Sequence, residues 1–260
     1  MTRVFHWRSW SVFLLVLGLG RVLAAEQYEG VAYVRGTERV VYRETDWLFE
    51  RDGTAQRLVL YRCPDGKPFA RKIVHYAPSA AAPDFDFLDA RDGYREGVRT
   101  EKGVRQIFVQ ENAHTPLKTR ALPDNADAVL DAGFDTFVRT HWADLMAGRS
   151  PRIPFLIPSR FAFLNFEISA VGGRENGRDE RRLKMKLASW YGFALPAIEL
   201  VYDADGRRLQ EFYGVGTIRD ASGRNQDVRI VFPSSDIHDD IPASAIDHAA
   251  AEPLLSRCVR

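Results

Sequence analysis

The chain has 260 residues, 36 basic against 35 acidic side chains, and a formal net charge of +1 at pH 7 with His neutral. That balance argues against the basic surface that nucleic acid or an anionic membrane favours. With 45% hydrophobic residues there is enough apolar material for one large β domain or two small ones.

The N-terminus divides into the regions of a secretory signal. Arg3 and Arg8 supply positive charge, Val12–Gly20 is an apolar run, and Val22-Leu23-Ala24 places acceptable side chains for cleavage before Ala25. The apolar run is far short of the ~20 residues that span a bilayer as a helix. No Cys stands at the cut for lipid attachment, and no Arg-Arg pair precedes the run, which favours the general export route. The expectation is a cleavable signal over 1–24 and a mature chain exported to the periplasm; Arg21, so near the cut, leaves an uncleaved anchor as the alternative. Removal of 1–24 takes away Arg3, Arg8 and Arg21, leaving 33 basic against 35 acidic residues. No second long apolar segment follows, so no transmembrane segment is expected in the mature chain.

The mature chain then reads as hairpins. Gln27–Arg35, Glu38–Phe49, Arg57–Tyr61, Phe69–Tyr76 and Gly103–Glu111 are runs of β-branched and aromatic residues. Asp52-Gly53, Asp65-Gly66 and Asp92-Gly93 punctuate them. Asp-Gly accepts the positive φ angles of tight hairpin turns, which makes its recurrence a mechanistic signal. The middle differs. Over Ala126–Ala147, Val129, Leu130, Phe134, Phe137, Val138, Leu145 and Met146 recur at helical spacing, with Asp124 as the expected cap and Gly148 at the end. Pro151, Pro154 and Pro158 predict a stiff, extended connection.

Strands resume at Arg160. Ala162, Leu164, Phe166 and Ile168 alternate with Asn165, Glu167 and Ser169, and Leu183, Met185 and Leu187 alternate with lysines across a polar turn at Gly172–Asp179. Such alternation suits antiparallel sheets with one wet face. Ile198–Tyr202, Leu209–Tyr213, Val215–Arg219 and Val228–Phe232 follow, with turns at Asp205-Gly206 and Ser222-Gly223. The expected fold is mainly β (α+β), a curved antiparallel meander or half-barrel sheet packed around one central helix. One continuous sheet is favoured over two. The domain spans 25–242 and 243–260 is a C-terminal tail, with the polar, Ala-rich stretch from Pro233 onward expected to pack loosely.

Catalytic motifs are sparse. No Gly-x-Ser-x-Gly elbow or Ser-x-x-Lys arrangement occurs. Ser234, Ser235, Asp236 and His238 crowd within one short segment, whereas triad members converge from separate ones. Asp236, His238, Asp239 and Asp240 offer donors for a divalent cation, but a solvated turn before Pro242 accounts for them equally. Asp84 and Asp86 alternate with Phe85 and Phe87, as on a strand with one wet face rather than as a pair for glycoside chemistry. No motif demands a cofactor. The two cysteines, Cys63 and Cys258, allow one intramolecular disulfide, worth about 4–5 kcal/mol for so long a loop; the alternative is two unrelated residues.

Aromatic residues concentrate at Phe134, Phe137, Phe161, Phe163, Phe166, Trp190, Tyr191 and Phe193. Packed together they are core. On a sheet that does not close they would line a concave apolar surface for a lipid or apolar small molecule, with Phe134, Phe137, Phe166, Met185 and Leu187 as the ligand-binding candidates. An envelope protein recruited at exposed strand edges is the second reading, and a hydrolase with an unrecognised site the third. The opening Tyr28-Glu29-Gly30-Val31-Ala32-Tyr33, the Asp-Gly hairpins and a helix laid on the sheet resemble uncharacterised proteobacterial periplasmic proteins. In layout they are also similar to half-barrel lipoprotein carriers of the LolA and LppX kind. The resemblance implies an apolar ligand and assigns no residue to it.

Overall fold

The computed structural model describes residues 25–172, 180–189, 197–205 and 207–258. Residues 1–24, expected to be a signal from the sequence, Trp190, Tyr191 and Phe193, most of the Gly172–Asp179 turn, and Gly206 lie outside them.

Turn chemistry sets the first half. Strands β1 (Glu26–Val34), β2 (Val40–Arg51), β3 (Thr54–Arg62), β4 (Pro68–His75), β5 (Asp84–Asp89), β6 (Tyr94–Glu101), β7 (Val104–Gln110) and β8 (Lys118–Ala121) pair in sequence order, each antiparallel to the last. At the β2–β3 turn both Asp52 (φ 53°) and Gly53 (φ 70°) are left-handed, and Lys102 and Gly103 repeat the device between β6 and β7. That conformation matches the twist of the flanking strands.

The chain then crosses to the other edge of the same sheet. Strands β9 (Arg152–Ile157), β10 (Ala162–Ala170), β11 (Glu180–Leu187), β12 (Ile198–Asp203), β13 (Leu209–Arg219) and β14 (Asn225–Val231) step back until β14 pairs with β1. A two-residue β15 (Ile237–His238) also pairs with β1. The result is one 15-stranded antiparallel sheet among the described residues, with β8 and β9 as its ends. The sheet curls far enough that the Pro158–Arg160 turn after β9 touches β6 and β7. Val74, Phe85, Val98 and Ile107 from one half pack with Leu130 and Leu156 from the other. Apolar packing, not a hydrogen-bonded ladder, bridges the gap.

The crossing differs from the expected single helix over 126–147. It contains two short helices, α1 (Gly133–Thr140) and α2 (Trp142–Met146), and α1 follows Ala132 with no side-chain cap, so Asp124 plays no capping role. Before α1, Val129 instead forms an isolated parallel bridge with Phe155 of β9, Leu130 donates to the Ala81 carbonyl, and turns flank them. Backbone partners in β9 and in the β4–β5 loop outcompete the helical periodicity of that stretch. Both helices lie on the second half of the sheet, where Val138, Trp142 and Leu145 pack on Ile153, Ile168, Leu183, Met185, Leu200 and Tyr202.

Three further expectations are corrected. The proline-rich connection is the edge strand β9, which tolerates Pro154 because an edge leaves some N–H positions unpaired. Leu209–Tyr213 and Val215–Arg219 are one strand, broken in register after Val215. The tail is not loose: α3 (Ala243–Ala251) packs Ile246 and Ala249 against Trp47, Leu58 and Leu60 on the outer face of β2 and β3. Beyond it, Cys258 is joined to Cys63, with Cα atoms 5.5 Å apart. No helix among the described residues is long and apolar enough to cross a membrane.

Candidate functional site

Register carries one line of side chains across the inner face. Glu96 opposes Phe87, Phe87 opposes Lys72, Lys72 opposes Val59, Val59 opposes Asp46, and Asp46 opposes Tyr28. Directly opposed residues of neighbouring strands share a face, so acid, base and acid alternate with apolar residues inside the lumen. Glu44, two residues from Asp46, lies on the same face. Asp46 is fully buried and Glu44 is 7% exposed.

Buried charges persist when they are paired. Arg57 Nε and Nη2 both reach Asp46 Oδ1, at 2.8 and 2.5 Å. Lys72 Nζ donates to Asp131 Oδ1 at 2.6 Å, and Asp131 reaches it from the crossing segment in a left-handed conformation (φ 43°). Tyr94 donates to Glu96 at 2.7 Å. Asp46 Oδ2 and Asp131 Oδ2 are buried without a hydrogen-bond partner among the described residues. Acids outnumber bases here, and burial, reinforced by the Asp46 charge, pushes the Glu44 carboxyl up to about 8. Burial also raises Asp46, although the Arg57 guanidinium and its hydrogen bond pull the other way. Removing water favours the neutral acid in both cases.

At one mouth of the curled sheet this row opens into a pocket of about 120 Å³. The apolar part of its wall is Tyr28, Leu48, Leu209, Phe232, Pro233 and Ile237, and the charged part is Glu26, Arg57, Asp135, Arg139 and Arg208. Arg208 holds Glu26 through two hydrogen bonds of 2.5 and 2.7 Å. Arg139 pairs with Asp135 one helical turn earlier at 2.8 Å, and Asp135 also accepts from the Tyr202 hydroxyl. Arg57 lies over the Tyr28 ring, and that ring meets Phe232 edge-on at 5.9 Å.

The sequence-derived candidates lie elsewhere. Phe134, Phe137, Phe166 and Met185 meet in the seam between the helices and β9–β12. Phe155 links Phe134 and Phe166 through edge contacts, Phe137 stacks on His141, and Leu187 opposes Phe166 in register. The structure brings these five residues together, but none lines the pocket. Ser235 donates to Asp236 beside it, while His238 sits in β15 opposite Gln27. Asp84 is held by Thr100 and Arg105, and Asp86 by Arg95. Among the described residues no group of three His, Cys, Asp or Glu side chains is placed to hold a metal ion.

The pocket residues escaped the sequence reading because they come from elements widely separated in the chain. Inward charges such as Glu44 and Asp46 alternate along β2 as solvated residues do. The remaining clue was two acids at the spacing of Tyr42 on a strand with Thr45 and Trp47 opposite, and alternation alone does not say which face is inside.

No protein-family model matches the chain. No curated protein matches it in sequence. Among solved structures it is similar to a beta-barrel-like protein of domain of unknown function DUF1849 from Brucella abortus, at 8% identity and a TM-score of 0.47, over 84% of this chain and 98% of that one. A DUF1329 family protein from Desulfovibrio piger ATCC 29098 aligns at 10% identity and a TM-score of 0.26, over 88% and 92% of the two chains. These likenesses assign no residue a role.

Proposed function

We propose that this protein is an exported, non-enzymatic binding protein that takes an apolar or amphiphilic ligand at the open mouth of its curled sheet. The pocket carries the reading: concave, half apolar and half polar, continuous with the inner face, and built from β1, β2, β3, α1, β13, β15 and the segments before β13 and after β14. Binding sites favour the mouths of barrels and combine apolar walls with a few polar groups. Export is supported by the charge and apolar pattern of residues 1–24 and by a disulfide, a bond that persists in oxidising compartments.

At about 120 Å³ the pocket is smaller than the roughly 300 Å³ at the low end of sites that enclose a drug-sized molecule. It suits one end of a ligand, the rest lying along the mouth. The seam of Phe134, Phe137, Phe166 and Met185 is occupied by α1 and α2, so these residues contribute to the ligand only where the helices leave it. The test is native mass spectrometry of mature protein from the periplasm, with organic extraction. A stoichiometric amphiphile or lipid is the expected result. A chain that stays empty after incubation with envelope lipids would overturn the proposal.

A second reading, an envelope assembly protein, draws on the fully exposed end strand β8. Lys118 and Arg120 on that strand are residues that blunt edge pairing, which makes it the weaker of the two.

A further inference from the structure

The chemistry of the mouth narrows the ligand. Three guanidinium groups converge on one small pocket, Arg57 from β3, Arg139 from α1 and Arg208 from the turn before β13. The two carboxylates in the wall are engaged at both oxygens. Glu26 Oε1 and Oε2 each accept from Arg208, and Asp135 Oδ1 and Oδ2 are taken by Tyr202 and Arg139. A third carboxylate, Asp46, lies behind the wall and holds Arg57 through one oxygen. A guanidinium carries more N–H groups than two carboxylate oxygens accept, and it has no acceptor of its own. The lining therefore has guanidinium donors to offer and its carboxylates already in use, with Gln210 adding one side-chain amide whose nitrogen donates to Asp203. Each arginine is also held in place by its carboxylate, so little side-chain freedom remains to be lost on binding.

Resting on the reading of the mouth as a binding site, we infer that the pocket receives the anionic head of an amphiphile, a carboxylate or a phosphate carried on an apolar chain. Arg57, Arg139 and Arg208 donate to the head group. Leu48, Leu209 and Phe232 pack the first methylenes, and the remainder of the chain leaves through the mouth. Planar, forked donors suit either kind of oxyanion. A quaternary ammonium head finds a wall whose carboxylates are occupied, and an uncharged head leaves the spare guanidinium donors without a charged partner.

The experiment uses the mature chain with its disulfide intact and follows displacement of a fluorescent amphiphile. The competitors are decanoate, decyl phosphate, decanol, decyltrimethylammonium and inorganic phosphate. Decanoate and decyl phosphate are expected to bind about tenfold or more tighter than decanol, the scale of hydrogen bonds to a charged group, and to weaken as salt is raised. The ratio between those two assigns the head as carboxylate or phosphate. Inorganic phosphate alone is expected not to compete; competition equal to decyl phosphate would replace the amphiphile with a free anion and overturn the inference. Arg139→Gln, on the exposed side of a short helix, should cut decanoate affinity about tenfold and leave decanol unchanged. Arg208→Lys should keep the charge preference and lose part of it as the fork is lost. Leu209→Ser should weaken all the decyl compounds together.

Equal binding of decanol and decanoate, or preference for decyltrimethylammonium, would overturn the head-group assignment and leave the binding site standing. No binding of any decyl compound to folded protein would overturn the site and the assignment together.

Discussion

Glu44 is held on the inner face of β2 with its carboxyl raised from 4.5 to about 8, first by burial and then by the charge of Asp46. The folded state therefore binds this proton more tightly than the unfolded chain does. Its contribution to stability is fully present below about 4.5 and is lost as pH rises through about 8. Glu44→Gln keeps the shape and removes the titration. The expected result is a melting temperature that falls less between pH 5 and pH 8.5 than in the parent. At pH 8.5 the variant should be more stable, by roughly 4–8 °C if ~2 kcal/mol of ionisation cost is relieved. Parallel melting curves against pH for the two proteins would refute the assignment. The Lys72–Asp131 pair gives a second test at this scale. Asp131→Asn keeps a side chain that tolerates the left-handed backbone but takes the paired carboxylate from the buried Lys72 amine, at a cost of about 3–5 kcal/mol. Adding Lys72→Met should recover part of that in urea titrations, and simple additivity would mean the two side chains are not coupled.

Among the elements, the crossing segment depends on close approach. A Cβ on Gly133 would stand 2.0 Å from the Ala81 carbonyl oxygen and 2.8 Å from Pro83, so α1 reaches its seat only with glycine at its first position. Gly133→Ala should cost about 3 kcal/mol, the upper part of the range for overpacking, and speed amide exchange across residues 133–146. Gly148 provides the control. It ends α2 at φ 80°, and a Cβ there would have nothing within 4 Å, so alanine meets backbone strain alone, about 1 kcal/mol. Equal losses at the two sites would remove the steric argument. The same logic explains why the helical periodicity of 126–147 yields helix only from Gly133 onward. Val129 bonds to β9 and Leu130 to the Ala81 carbonyl in the β4–β5 loop, and α1 begins where the backbone clears Ala81.

For the molecule as a whole, β1 and β14 are the seam where the two runs of strands meet, and the tail fastens the outer face of the first run. Cys63 and Cys258 are 195 residues apart in sequence, and the bond is supported by Arg62 holding Glu252 through two hydrogen bonds and by Leu255 donating to the Pro68 carbonyl. Cross-linking so long a loop is worth about 5 kcal/mol in the chain-entropy account. Replacing both cysteines by serine should lower stability by several kcal/mol. It should also raise amide exchange first over residues 243–258, because α3 covers Trp47, Leu58 and Leu60 mainly through Ile246 and Ala249. An unchanged denaturation midpoint would show that α3 docks without the bond.

The sequence alone determined the local grammar. Asp52-Gly53 and Asp92-Gly93 marked hairpins because few dipeptides accept left-handed backbone, and the alternation over 162–168 marked a strand because its period is two. A curved antiparallel sheet with helix on it was legible from those signals. The tertiary structure decided what they could not. Alternation reads a buried acid such as Asp46 the same way as a solvated one. Pairing between β1 and β14 spans nearly the whole chain, and no turn encodes it. The mouth pocket draws Glu26 from β1, Arg57 from β3, Arg139 from α1 and Arg208 from the turn before β13. Its existence depends on how far the sheet curls, which is set by packing between strands distant in sequence rather than by any local run of residues.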